Sequence, residues 1–386
     1  MFARRRALES SLASFLVWAT LARTLLWMVP VGLFFAAAAH PATASVTIAL
    51  GSAMTVGSGV ALWPVGRVLD RVGAWRGLRV SLLLGAVALG LLALALAVEA
   101  RMLVLLAGAG VVGVVLSPLM ATPRALLASL VPPARLPWAS GIEATSLEVA
   151  LILAPLVAAA VGGGGRVAVL LVAAGTLAVV WLGFPHGQDS TPTAAAHRAP
   201  LLDRRIVRLG GLAVLLGVSG GLLEPGLAGL PVHIAGWQLS AAALFVAVGV
   251  GSAVGGLLAA RCGWPHRSGH AAPLFALHAA GLLAAVPTQG SLRLLVMVIA
   301  GLPIAPLMSL AGLHLDRWIA PARLGETFGV VTAVLQVATG VGQALAAQLV
   351  EPLAPHGLVA LAAAPAGSAA LLLALATYRP RGRLRS

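Results

Sequence analysis

Apolar residues come along this chain in runs of roughly twenty, each closed by a short cluster of Arg, Gly, Pro or Ser. Twelve such runs are centred near residues 25, 54, 88, 110, 150, 174, 220, 248, 280, 300, 336 and 367. A helix needs roughly 20 apolar residues to cross a bilayer core about 30 Å thick, so the pattern predicts twelve membrane-spanning helices. The intervals leave short loops and no room for a water-soluble domain. Gly and Pro interrupt many runs, which lipid-embedded helices tolerate where neighbours satisfy the freed backbone groups.

Composition supports lipid as the solvent, since 60% of the residues are hydrophobic and only 9% charged. The formal charge of +14 would point to nucleic acid in a soluble protein. Here its distribution matters more than its sum. With the N-terminus in the cytoplasm, 21 of the 25 basic residues, all of them Arg, fall in cytoplasmic segments. Arg101, Arg166 and Arg293 fall outside, and Arg23 lies within a span. This imbalance predicts that both termini are cytoplasmic and excludes a nucleic-acid partner. The opening "MFARRRALES" imitates a signal peptide, but the apolar run from Ser11 to Ala39 exceeds an h-region and reads as a retained first span. Cys262 is the sole cysteine, which excludes an internal disulfide.

The chain repeats itself. "PLM" at 118–120 recurs at 306–308, "PARL" at 133–136 recurs at 321–324, and Gly141 corresponds to Gly329, all at an offset of 188 residues. "GRVLDRVG" (66–73) has a weaker echo in "GLLAARCG" (256–263). Six spans therefore recur in the same orientation: an N-terminal bundle over 1–184, a cytoplasmic linker over 185–205 and a C-terminal bundle over 206–386. Two parallel six-helix halves are the organisation of the major facilitator superfamily of secondary transporters. Gly66, Asp70, Arg71, Gly73 and Arg76, between spans 2 and 3, resemble that superfamily's G-x-x-x-D-R-x-G-x-x-R signature. The resemblance covers the whole chain and implies an all-α membrane fold working by alternating access. It also implies a gate latch. Gly66 and Gly73 would allow close approach and a sharp turn, and Asp70 would accept hydrogen bonds at the N-terminus of span 11, near Leu324. A solvated loop that merely sets orientation is the plainer reading of the same arginines.

Span 5, "GIEATSLEVALILAPLVAA" (141–159), resembles the G-x8-G-x3-G-P-x2-G-G pattern of proton-driven drug exporters in that superfamily. Gly141 and Pro155 keep their places, while Ala150, Ala154, Ala158 and Ala159 stand where the exporters have glycine. Small residues here would let helices pack closely. The arginine those exporters carry within span 4 has no counterpart, since Arg101 and Arg124 lie near the ends of the span. Its proton-relay role cannot be carried over.

Ionisable groups inside spans are costly and hence candidates for function. Arg23 and Glu148 stand at similar depths, roughly 15–17 Å at 1.5 Å per residue, and are expected to face each other. The pair is either a structural brace or a coupling site in which Glu148 titrates. The repeat sets Gln336 opposite Glu148, and Gln343 shares a face with Gln336. Glu224, before Pro225 and Gly226, is either a substrate-facing carboxylate in a broken helix or an interfacial residue. Glu143 is expected to be solvated at the cytoplasmic end of span 5, and His278 to be peripheral. No Walker loop, metal-ligand spacing or catalytic triad occurs, so neither an enzyme, a metal nor a cofactor is expected. The sequence reads as a monomeric, proton-coupled exporter of a small organic molecule in a bacterial cell (inner) membrane. The rivals are a metabolite importer on the same fold and, further off, a transporter-derived sensor. Cysteine-accessibility labelling should find Ala74, Ser190, Ser268 and Gly382 cytoplasmic, and Pro41, Gly236 and Gly290 external; an external Ser190 would overturn both orientation and division.

Overall fold

Helix formation begins where lipid would demand it, since every backbone group in an apolar run must be paired within its own segment. The computed structural model describes residues 2–132, 136–184, 204–234, 237–239, 241–262, 271–319 and 321–377. Among them are thirteen helices: α1 (Phe2–Ala39), α2 (Ala44–Val72), α3 (Ala74–Ala97), α4 (Met102–Leu116), α5 (Pro118–Leu130), α6 (Leu136–Gly162), α7 (Gly165–Gly183), α8 (Arg204–Ala228), α9 (Ala242–Cys262), α10 (Ala271–Ala285), α11 (Gly290–Gly301), α12 (Ile304–Trp318) and α13 (Pro321–Thr377). A short antiparallel hairpin, β1 (Val232–Ile234) and β2 (Trp237–Leu239), follows α8 and was not foreseen from the sequence. Nine helical stretches among the described residues are long and apolar enough to cross a membrane, and two further apolar helical segments are shorter.

Prolines and glycines set the breaks. Gly73 separates α2 from α3 with φ 98°, a left-handed value that favours glycine. The next aromatic, Trp75, is buried edge-on against Phe15 and at a tilt against Phe184, which anchors this turn to α1 and to the end of α7. The α4–α5 break falls where Pro118 has no N–H to give the Val114 carbonyl. The Ser117 hydroxyl donates to that carbonyl instead (2.8 Å), and Ser81 on α3 donates to the Val115 carbonyl (2.6 Å). α13 bends at Ala354 (φ 52°, ψ 173°). Pro355 disfavours helical geometry in the residue before it, which accounts for the extended ψ. α8, by contrast, runs through Pro225 to Ala228, so the helix expected to be broken at Glu224 is continuous.

Several helices meet backbone to backbone. α8 lies against α13, where a Cβ on Gly221 would strike the Thr339 carbonyl and one on Gly342 would come 2.5 Å from the Val218 carbonyl. α2 also lies against α13: the Ser52 hydroxyl donates to the Gly340 carbonyl (2.8 Å), and Gly59 sits on the Val337 amide. α6 packs on α1 and reaches α9, and Phe35 on α1 meets Phe245 on α9 at 5.6 Å between ring centroids. Ala150, Ala154 and Ala158 form a buried stripe on α6, with Pro155 buried beside it. Gly66 is different. It lies mid-helix with nothing within 4 Å of a Cβ, so the close approach expected of it is absent.

Two substitutions separate these cases. Gly221→Val should lower thermal stability in detergent by about 1–3 kcal/mol or more, as overpacking against a rigid carbonyl does. Gly66→Ala should leave the melting temperature unchanged or slightly raised, because the added methyl meets open space and helical alanine is preferred over glycine.

Candidate functional site

Two buried polar clusters lie along the helices, one around Arg23 and Glu143 and one around Glu224. The first surrounds Arg23 on α1, only 2% exposed. Its Nε–H donates to the Leu119 carbonyl (3.3 Å) and an Nη2–H to the Met120 carbonyl (3.2 Å), both on α5. The Leu119 carbonyl is available because Pro123, four residues on, has no N–H and crowds it. Nη2 also pairs with Glu143 Oε1 at 2.5 Å.

Glu143 is thus a partner of Arg23, and it is 4% exposed rather than solvated. Depth along the sequence sets Glu143 at the cytoplasmic end, but depth says nothing of helical phase, and the face of α6 that carries position 143 is turned toward α1. The side chains of Glu148 and Asp70 and the environment of Gly141 lie outside the described residues. Arg71 and Arg76 are exposed in the α2–α3 region. Arg67 instead stacks on Trp63, its guanidinium carbon 3.8 Å from the ring centroid.

The second cluster is central. A small cavity of about 40 Å³ is bounded by Leu26, Trp27, Pro30 and Val31 of α1, Met54, Thr55 and Ser58 of α2, and Gly113 and Leu116 of α4. Glu224 of α8 and Gln336, Thr339 and Gln343 of α13 close it from the other side. Gln343 Nε2 donates to Glu224 Oε2 at 2.7 Å. Gln336 and Gln343 therefore share a face and reach one space with Glu224, which the seven-residue spacing anticipated for the two amides alone. Thr55 and Thr339 each donate back along their own helix, to the Gly51 (3.0 Å) and Leu335 (2.9 Å) carbonyls. Trp27 Nε1, Ser58 Oγ and Gln343 Oε1 are buried without a hydrogen-bond partner. Unpaired polar atoms are scarce in protein interiors, so three around one cavity mark a place built for something else.

A larger cavity of about 690 Å³ lies toward the start of α8 and the end of α12, walled by residues such as Leu212, Phe275, Met308 and Thr332, with Arg205, Arg208, His314 and Trp318 also lining it. His278, expected to be peripheral, is buried, and its Nδ1–H donates to the Ala300 carbonyl of α11 (2.7 Å). No group of three or more metal-ligating side chains occurs among the described residues.

No protein-family model and no curated protein sequence matches the chain. Solved structures do. The nucleoside transporter NupG superposes with a TM-score of 0.73 at 13% identity, over 96% of this chain and 100% of that one. A POT family transporter in complex with a thioalcohol-conjugated peptide gives 0.69 at 13% identity, covering 94% and 95%. A bacterial homologue of the human lysosomal transporter Spinster, inward-facing and unoccupied, gives 0.65 at 15% identity, covering 95% of both. The chain therefore shares the fold of these solved structures.

Arg23→Leu should strand a buried Glu143 charge at a cost of about 3–5 kcal/mol, read as lost folded yield and a lower melting temperature. The double variant Arg23→Leu/Glu143→Leu should recover most of that stability; a double variant no better than the single one would show that Arg23 acts through the α5 carbonyls instead.

Proposed function

We propose that this protein is a secondary active transporter of the major facilitator superfamily, exporting a small organic molecule from a bacterial cell by proton antiport. The observation that carries this reading is the central cavity, which holds one carboxylate and several unpaired polar atoms between α1, α2 and α4 on one side and α8 and α13 on the other. In this reading twelve spans form two six-helix units, 1–184 and 206–386, with 185–205 as linker and both termini in the cytoplasm. α4 with α5, and α11 with α12, each make one interrupted span, while the two arms of α13 are separate spans. Helix bounds support the duplication: Gly290 follows Met102, and Trp318 follows Leu130, by the same 188 residues.

Alternating access requires the two units to rock about a fixed site. The α2–α13 contact at Ser52 and Gly340 would be the seam that opens toward the outside. The loop with Gly66, Asp70, Arg71, Gly73 and Arg76 would latch the cytoplasmic side when it closes. Glu224 is the carboxylate we assign to the coupling proton, because it borders the cavity, whereas the Arg23 cluster is paired with Glu143. A second reading, import of a small metabolite, draws support from the incomplete span 5 pattern and from similar structures named as peptide and nucleoside transporters. Protons and one small solute are the partners in both.

Spin labels in reconstituted protein test the mechanism without knowledge of the substrate. Labels at Val68 and Phe328 should approach one another under conditions in which labels at Ala42 and Leu353 separate, and a change of pH should shift the balance. Glu224→Gln should abolish the pH response while both conformations persist. Distances that stay fixed at both ends would overturn the transporter reading.

A further inference from the structure

We infer that the central cavity recognises an organic ammonium ion, bound by its N–H groups at Glu224 and Gln343. The inference rests on the central cavity being the transport site proposed above, and it adds the chemical class of the solute.

Hydrogen-bond bookkeeping around the cavity carries it. The Glu224 carboxylate is an acceptor, and it is the only ionisable group among the cavity's lining residues. Gln343 spends an amide N–H on Glu224, which fixes the amide and leaves its Oε1 as a buried acceptor with no partner. Thr55 and Thr339 have given their hydroxyl hydrogens to helix carbonyls, so only their oxygen lone pairs remain. The Trp27 indole N–H and the Ser58 hydroxyl are buried donors without a partner, and the Gln336 amide adds N–H groups as well as an oxygen. The lining residues hold one carboxylate and no positive charge. A ligand with a positive charge and N–H donors neutralises the carboxylate and serves the acceptors beside it, whereas an anion would leave the carboxylate unneutralised.

Size and surroundings agree. The cavity's 40 Å³ corresponds to about two or three waters at roughly one probe sphere each. That is room for an ammonium group, and Trp27 is among the residues that line it. The arginines at the larger cavity do not cancel this field. Arg208 precedes Glu224 on α8 by 16 residues, about 24 Å of helix, and the nearer Arg23, one turn before Trp27 on α1, is paired with Glu143.

The test uses purified full-length protein and sets of probes that share a hydrocarbon frame and differ in the charge and chemistry of its terminal group. Tyramine, 4-ethylphenol and 3-(4-hydroxyphenyl)propanoate form one such set; isobutylamine, isobutanol and isobutyrate form a second. Calorimetric binding to the wild type should favour the amine in at least one set by tenfold or more over both companions. Glu224→Gln should erase that preference, Glu224→Asp should retain it at reduced affinity, and Gln343→Leu should weaken amine binding severalfold. The trimethylammonium form of tyramine should bind less tightly than tyramine, since it keeps the charge and loses the N–H donors. Equal binding of acids or alcohols, absence of binding by both amines, or a preference that survives Glu224→Gln would each overturn the inference. Because the spin-label distances report alternating access without any solute, a failure here with moving labels would remove the ammonium assignment and leave the transporter reading intact.

Discussion

Inside a bilayer a helix carbonyl that loses its amide partner has no water to turn to, and each such group costs several kcal/mol. Much of this structure follows from how those debts are settled. Pro118 frees the Val114 carbonyl, and the neighbouring Ser117 hydroxyl takes it. Pro123 frees the Leu119 carbonyl, and Arg23 reaches across from α1 to satisfy it. Having been drawn into the membrane for that reason, the guanidinium needs a counter-charge, and Glu143 supplies one. Buried Ser52, Ser219 and His278 likewise spend their hydrogens on carbonyls of other helices. Among the described residues the remaining unpaired buried atoms are Arg23 Nη1, Arg67 Nε and Thr122 Oγ1 outside the central cavity, and Trp27 Nε1, Ser58 Oγ and Gln343 Oε1 gathered around it.

The same economy shapes the interfaces. Lipid provides no hydrophobic drive for one helix to leave it for another, so association depends on close packing and on such hydrogen bonds. α8 and α13 meet through Gly221 and Gly342, close enough that a single methyl group would not fit. The seam between α2 and α13 has the same character, with Gly59, Gly340 and one serine hydroxyl. A seam of small residues and one hydrogen bond holds its two sides in register with little energy per contact. That combination suits surfaces that separate and re-form.

Apolar runs marked helices: nine among the described residues are long and apolar enough to cross a membrane and two are shorter, where twelve spans were expected. Gly73 turns the chain within the loop motif. What the sequence concealed was helical phase. Glu143 pairs with Arg23 because of the face that α6 turns to α1, which no count of depth reveals. Glu224 was similarly ambiguous: Pro225 suggested a broken helix, yet the structure keeps α8 intact to Ala228 and brings its carboxylate against Gln343. Gly66 carried the motif without the contact. His278 looked peripheral because its helix was, although a carbonyl of α11 lay within reach.

Under the proposed proton antiport, a cavity lined by one carboxylate also fixes the arithmetic of energy conversion. Such a site would surrender one proton for each monovalent cation it accepts, so a turnover would move no net charge across the membrane. The exchange would then ignore the membrane voltage, worth about 2.3 kcal/mol per charge per 100 mV, and draw on the proton concentration difference alone. Each unit of pH supplies about 1.4 kcal/mol per proton, which sets a ceiling of roughly tenfold accumulation per unit. A second acidic group in the same space would raise that ceiling and make transport sensitive to voltage. Glu224, standing alone among the lining residues, makes the modest, electrically silent version the natural one for this fold.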